Sequence, residues 1–147
     1  MVRNDAFSGS YSKNPYNFQH FDLSFVDLNV EGKQIPNQGL NANFEQGQYV
    51  DCYFQMAKAC GVYPANWSNH VTAAQYIGGC SLFCFDLTPD NGGDGVAYVT
   101  PRRYGTVRAN LRFHKPLPTT VTLIVFAQYD NMVMIDRNRS VTFDYTV

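Results

Sequence analysis

The sequence predicts an all-β fold, an antiparallel jelly-roll sandwich with two short helices inserted in a mid-chain connection. Three observations lead there. Several short stretches alternate apolar and polar residues with the period of two of a half-buried strand. Two further runs, 80–87 and 119–129, are apolar on both faces, as in strands covered from both sides. Turns bearing Pro, Gly, Asn and Asp separate these stretches, and neither a repeat nor a heptad is present.

Residues 1–18 are rich in Ser, Asn and Tyr and show little periodicity, so an extended N-terminal arm is expected, followed by a single domain over 19–147. "FDLSFVDLNV" alternates first as Phe21, Leu23 and Phe25, then as Val26, Leu28 and Val30. That slip of phase predicts a β-bulge at Phe25–Val26. "EGK" supplies a tight turn, and Gln34–Ile35–Pro36 starts a short return strand. A helix is expected over 44–60. Asn43 would cap it with Gln46 three positions on, the stripe Tyr49/Val50, Tyr53/Phe54, Ala57 and Cys60 would face the core, and Gly61 would end it. A second helix is expected over "HVTAAQYI", capped by Ser68 or Asn69 and stopped at Gly78–Gly79.

From residue 80 the pattern is β. "CSLFCFDL" reads as a strand buried on both faces. "TVRANLRFH" alternates most cleanly: Val107, Ala109, Leu111 and Phe113 take one face, and Thr106, Arg108, Asn110, Arg112 and His114 the other. "KPLP" breaks this strand because proline lacks the ladder N–H. "TTVTLIVFAQY", β-branched and apolar, reads as a central strand. "DN" at 130–131 turns the chain, "MVMI" forms a strand, "DRNRS" turns it again and "VTFDY" closes it.

At 147 residues the chain suits one domain with a self-sufficient core. Its 45% hydrophobic, 15% aromatic and 16% charged content argues against disorder and for extensive contact surfaces. Charge is unevenly spread. Residues 1–100 carry 4 Lys/Arg against 9 Asp/Glu, net −5, and residues 101–147 carry 7 against 3, net +4. Such polarity favours complementary contacts between copies over general nucleic-acid binding. The opening lacks the apolar core of a secretory signal, and no run approaches the ~20 apolar residues of a membrane span. A non-secreted chain without membrane partners is therefore expected, with Cys52, Cys60, Cys80 and Cys84 as reduced thiols.

Chemical motifs are scarce. The cysteines form no C-x-x-C pair and His20, His70 and His114 lie far apart in sequence, unlike a zinc site. Asp86, Asp90 and Asp94 repeat every four residues, but an EF-hand counted from Asp86 or Asp90 places Ala97 or Pro101 where the bidentate Glu belongs. A surface turn over 89–93 accounts better for the glycines and aspartates there. No nucleophile elbow or P-loop occurs. The expectation is no catalytic residue, no cofactor and no metal, hence no enzyme. Arginines concentrate in the last third, and Arg108, Arg112, Arg137 and Arg139 are the candidate subunit-contact residues. Arg108 and Arg112 share a strand face about 13 Å apart, positioned to meet acidic groups of a neighbour or, weakly, nucleic acid.

Three stretches, "NPYNFQHFDL", "LFCFDLTPD" and "GTVRANLRFHKPLPTTVTLIVFAQYDNMVMIDRNRSVTFDY", occur in an order that resembles the C-terminal jelly-roll part of hexon-like, double jelly-roll major capsid proteins. Those of Polinton/Maverick elements and adintoviruses are most similar, and adenovirus hexon more distantly so. The resemblance covers about residues 14–146. It implies a structural role: a homo-oligomer, a trimer in that family, meeting itself and other capsid proteins in a virion assembled inside the cell, in cytoplasm or nucleus. Full double jelly-roll chains are several times longer, and about seven strands are countable here where one roll has eight. The domain is thus a fragment, a processed piece or a shortened descendant, and any missing strand leaves an open sheet edge. The alternative function is a carbohydrate- or ligand-binding jelly roll without catalysis, with Tyr63 and Trp67 as stacking residues.

Overall fold

The computed structural model describes residues 1–62, 70–88, 105–129 and 133–143. Its elements follow in the order β1 (Val2–Arg3), α1 (Asn4–Phe7), β2 (Leu23–Val30), β3 (Lys33–Asn41), α2 (Val50–Ala59), α3 (Ala73–Gly78), β4 (Val107–Phe113), β5 (Val121–Thr122), β6 (Val133–Ile135) and β7 (Val141–Phe143). The architecture is mostly β with few short helices. Three antiparallel sheets occur among the described residues: β1–β5, β3–β2–β4 and β6–β7.

The central sheet positions everything else. β2 lies between β3 and β4, and its inner residues Leu23, Val26, Leu28 and Val30 oppose Phe113, Leu111, Ala109 and Val107 of β4. The alternation read from "TVRANLRFH" is therefore real, with Leu111 and Phe113 packed on the core. The bulge is also present, one step earlier than expected. The register slips between Leu23 and Phe25, so Leu23 and Val26 are both buried while Phe25 passes to the outer face opposite Arg112. β3 is longer than the short return strand expected at 34–36. It leaves β2 between Val26–Leu40 and Leu28–Ile35, and the extra residues 36–39 hold Pro36 where no ladder N–H is needed. Gly39 has φ +63°, and a Cβ there would come within 2.4 Å of the Phe25 ring, so only glycine fits. The β2–β3 turn runs through Glu31 and Gly32, both left-handed, with the Gly32 N–H donating to Asn29 Oδ1 at 3.0 Å.

The helices differ from expectation in their starts. Asn43 does accept the Gln46 N–H at 3.1 Å, but within a turn closed by reciprocal Asn43–Gln48 backbone bonds of 2.8 Å. Gly47, at φ +73°, cannot continue a helix, and α2 begins only at Val50. α3 is capped by Thr72, whose side chain accepts from the Gln75 N–H in a complete capping box; Ser68 and Asn69 lie outside the described residues. Cys52 and Met56 of α2 and Tyr76 of α3 bury against Leu23, Val26, Leu40, Ala42 and Phe44, so the helices cover the sheet's inner face. A chain of rings crosses this core. His20 stacks on Phe44 at 3.8 Å, Phe44 on Tyr49 at 6.0 Å, and Tyr76 meets Tyr49, Tyr53 and Phe83 at 5.5–6.5 Å.

The N-terminal arm is docked at its start: β1 pairs with β5, Met1, Val2 and Ala6 are buried, and the Asn4 N–H donates to Thr120 O at 3.0 Å. Two further expectations are corrected. Run 80–87 is not a strand. Cys80 makes one parallel bridge to Phe18, after which Phe83, Cys84 and Phe85 pack on the core without a ladder. Run 119–129 is not a central strand either, since only Val121–Thr122 are laddered and 123–129 are exposed. A stretch that is apolar on both faces signals a wish for cover; it does not specify hydrogen-bonded neighbours. The β6–β7 hairpin forms as the sequence indicates, with Asp136 Oδ1 accepting the N–H groups of Asn138 and Ser140 at 2.8 Å. The 130–131 and 89–93 turns lie outside the described residues.

Candidate subunit-contact surface

Two surfaces carry the unassigned chemistry. The first is the outer face of the central sheet, where Phe25, Asp27 and Asn29 of β2 oppose Arg112, Asn110 and Arg108 of β4. Asp27 is 4% exposed although it points away from the core. Its two oxygens accept Gln34 Nε2–H at 2.7 Å and Asn110 Nδ2–H at 2.6 Å, so one carboxylate ties all three strands together. The Arg112 guanidinium lies 5.0 Å from the Phe25 ring centroid and shields it. Around Asp27, Phe25, Gln34, Asn110 and Arg112 opens a concavity of about 580 Å³.

The second surface is the C-terminal third. Leu123, Ile124, Val125, Phe126 and Tyr129 are 45–89% exposed, and so are Val133, Met134, Ile135, Val141 and Phe143 of the hairpin, at 47–69%. In each stretch the exposed apolar residues follow one another along the chain instead of standing singly.

The four arginines divide between these surfaces. Arg108 and Arg112 share the outer face of β4, as expected, and both are exposed. Arg137 and Arg139 occupy the β6–β7 turn, where Arg139 takes φ +66° and donates its N–H to Asp136 O. Nothing among the described residues joins the two pairs. Among the described residues none of the four forms an ion pair with a carboxylate; the pairs there are Asp5 with Arg3 and Lys13, and Lys115 with Glu45 and Asp22.

Other candidates are structural in their settings. Asp86 Oδ1 accepts the Thr88 N–H and hydroxyl at 2.8 and 2.7 Å, a local turn, and Asp90 and Asp94 lie outside the described residues. No group of three His, Cys, Asp or Glu is placed to hold a metal among the described residues. His20 Nδ1 accepts the Asp22 N–H at 2.9 Å, and burial pulls its pKa down against the opposing Asp22 charge. His114 Nε2 sits 3.0 Å from Ala42 O, and His70 is exposed. All four cysteines are free. Burial pushes the Cys52 thiol up to about 11, with a smaller contribution from Asp51, and pushes Cys84 to about 12, with Cys60 second. Tyr63 and Trp67 lie outside the described residues. Sequence reasoning missed the Asp27 cluster and the shielding of Phe25. A carboxylate in mid-strand, flanked by Val26 and Leu28, was the available signal.

Among the described residues no helix is long and apolar enough to cross a membrane. No family model matches the chain, and no solved structure matches it. It is similar to an uncharacterized protein of Caenorhabditis elegans, 26% identical over 149 residues. The match takes in 100% of this chain and 35% of that protein, so the chain spans about a third of the relative's length.

Proposed function

We propose that this chain is a structural, non-catalytic protein that works by self-assembly: a capsid-type jelly-roll subunit or domain of the hexon-like kind. Its partners are copies of itself, with a trimer as the expected unit, and other capsid proteins in a virion built inside the cell. Contact with packaged nucleic acid through the arginine face is secondary and weak. One observation carries the reading: residues 123–129 and the β6–β7 hairpin stand exposed, in a part of the chain whose four candidate arginines have no carboxylate partner among the described residues. Aromatic residues and Arg are the types that dominate contact energies between subunits. The ordered resemblance from β4 to β7 supplies the capsid component of the proposal.

Sedimentation velocity over a wide concentration range tests it. Wild-type chain is expected to associate, and Phe126→Ser with Ile135→Ser to weaken association by about tenfold or more, each removing a large apolar contact. A strict monomer at high concentration and low salt would overturn the reading.

A carbohydrate-binding role has one observation in its favour, the polar concavity around Asp27, Asn110 and Gln34 beside Phe25. Against it, both Asp27 oxygens are already engaged and Arg112 covers the ring a sugar would stack on. Glycan-array screening separates the two, because an assembly protein has no glycan preference.

A further inference from the structure

Run 123–129, Leu-Ile-Val-Phe-Ala-Gln-Tyr, is dominated by residues that favour a pleated ladder, yet it has no ladder partner among the described residues. The same chain carries an edge without a partner. The central sheet is ordered β3–β2–β4, so one side of β4, seven residues long, pairs with no described strand. β3, at the other edge, is interrupted by its bulge and Pro36 and is the poorer template. Run and open edge match in length.

They also match in pattern. Laid antiparallel with Leu123 opposite Phe113, the run places Val125 opposite Leu111, Ala127 opposite Ala109 and Tyr129 opposite Val107. Every inner-face position is then apolar on both strands. On the outer face Ile124, Phe126 and Gln128 fall opposite Arg112, Asn110 and Arg108. A shift of one residue either way still sets Ile124 and Phe126 against apolar residues but brings Gln128 onto the inner face, so only this register is apolar throughout.

From this double complementarity we infer that residues 123–129 of one copy add as a strand to the β4 edge of a second copy. The occupant is a second copy because each chain presents both halves of the contact. This deepens the self-assembly reading and rests on it. Strand addition extends the central sheet, continues its apolar inner face and supplies backbone partners for β4 in one step.

The test mixes ¹⁵N-labelled and unlabelled full-length chains that carry photoreactive benzoylphenylalanine in place of Phe126. The expected result is crosslinks between labelled and unlabelled chains that map to 107–113. Val125→Pro is expected to weaken association by about tenfold or more by removing a ladder N–H, and Val125→Thr, which keeps the β preference, to retain it. Circular dichroism shows whether the proline variant is folded; if it is not, the crosslink map decides alone. Association with crosslinks elsewhere or within one chain, or with a folded Val125→Pro unaffected, overturns strand addition and leaves self-assembly standing. Absence of association at any concentration overturns both.

Discussion

The described residues of 18–85 and of 123–143 are both rich in aromatic and branched side chains, and the structure treats them oppositely. In the first region His20, Phe44, Tyr49, Tyr76 and Phe83 stack through a closed core, and Tyr76 has no accessible surface. In the second, Phe126 is 89% exposed and both strands of the β6–β7 hairpin face solvent. Residue type does not separate them. What separates them is cover: α2, α3 and residues 81–85 close over the inner sheet face, whereas the described residues offer 123–143 nothing comparable. Apolar character states what a side chain requires, and the fold decides who provides it.

The largest expected effect breaks that comparison most sharply. Leu23→Ala, at a site with no exposure, removes core contacts and leaves a cavity, and it should cost about 3 kcal/mol in denaturant unfolding. Ile124→Ala, a similar truncation at a 45% exposed site, should cost under about 0.5 kcal/mol in dilute monomer. Equal costs would mean the two regions are not different in kind.

Next comes the buried Asp27 carboxylate of the first region. Asp27→Ala strands the amide donors of Gln34 and Asn110 and should destabilise by about 2 kcal/mol. Asp27→Asn, which keeps an acceptor oxygen, should lose less. A neutral Asp27→Ala would show that the carboxylate does not tie the three strands.

A smaller effect has the opposite sign. Tyr76 Oη is buried without a hydrogen-bond partner among the described residues, so Tyr76→Phe should stabilise by about 1 kcal/mol in thermal or chemical melts. A loss of stability would reveal a partner for the hydroxyl.

The smallest effect is pH dependence from His20. Its folded-state pKa is depressed, chiefly by burial, so the unfolded chain binds the proton more readily. The contribution is complete above the ordinary histidine value of about 6.5 and is lost as pH falls below it toward the lower folded-state value. Urea midpoints should therefore drop on acidification through that window, and His20→Gln should flatten the slope. An unchanged slope in the variant would assign the loss to other groups.

Much of this was legible in the sequence, for reasons that differ by element. β4 was legible because its apolar residues all fall on one side of the pleat, where Leu111 and Phe113 meet the core. The bulge in β2 was legible as a slip of phase. Its position was one step off because Phe25, apolar but on the outer face, gains its cover from Arg112, a partner that alternation cannot identify. The start of α2 was illegible because an Asn accepting the N–H three residues on is common to helix caps and to turns, and the left-handed Gly47 chose the turn. Runs 80–87 and 119–129 share one apolar signature, yet Phe83, Cys84 and Phe85 of the first pack on the core while 123–129 of the second are exposed. At the candidate surface, exposure of the four arginines followed from their alternation and turn positions. The Asp27 cluster did not, because Gln34 and Asn110 reach it from strands distant from each other in sequence.

Hydrogen–deuterium exchange of the full chain, followed from dilute to concentrated protein, tests the central claim most directly: that residues 123–129 and 133–143 are exposed in the isolated chain and covered by neighbouring copies. Amides of 123–129 and those β4 amides that point to its open edge should exchange fast when dilute and gain protection together as concentration rises, while the β4 amides bonded to β2 and those around Leu23 and Val26 stay protected throughout. Fast exchange over 123–129 at every concentration, in a sample shown to associate, would contradict it.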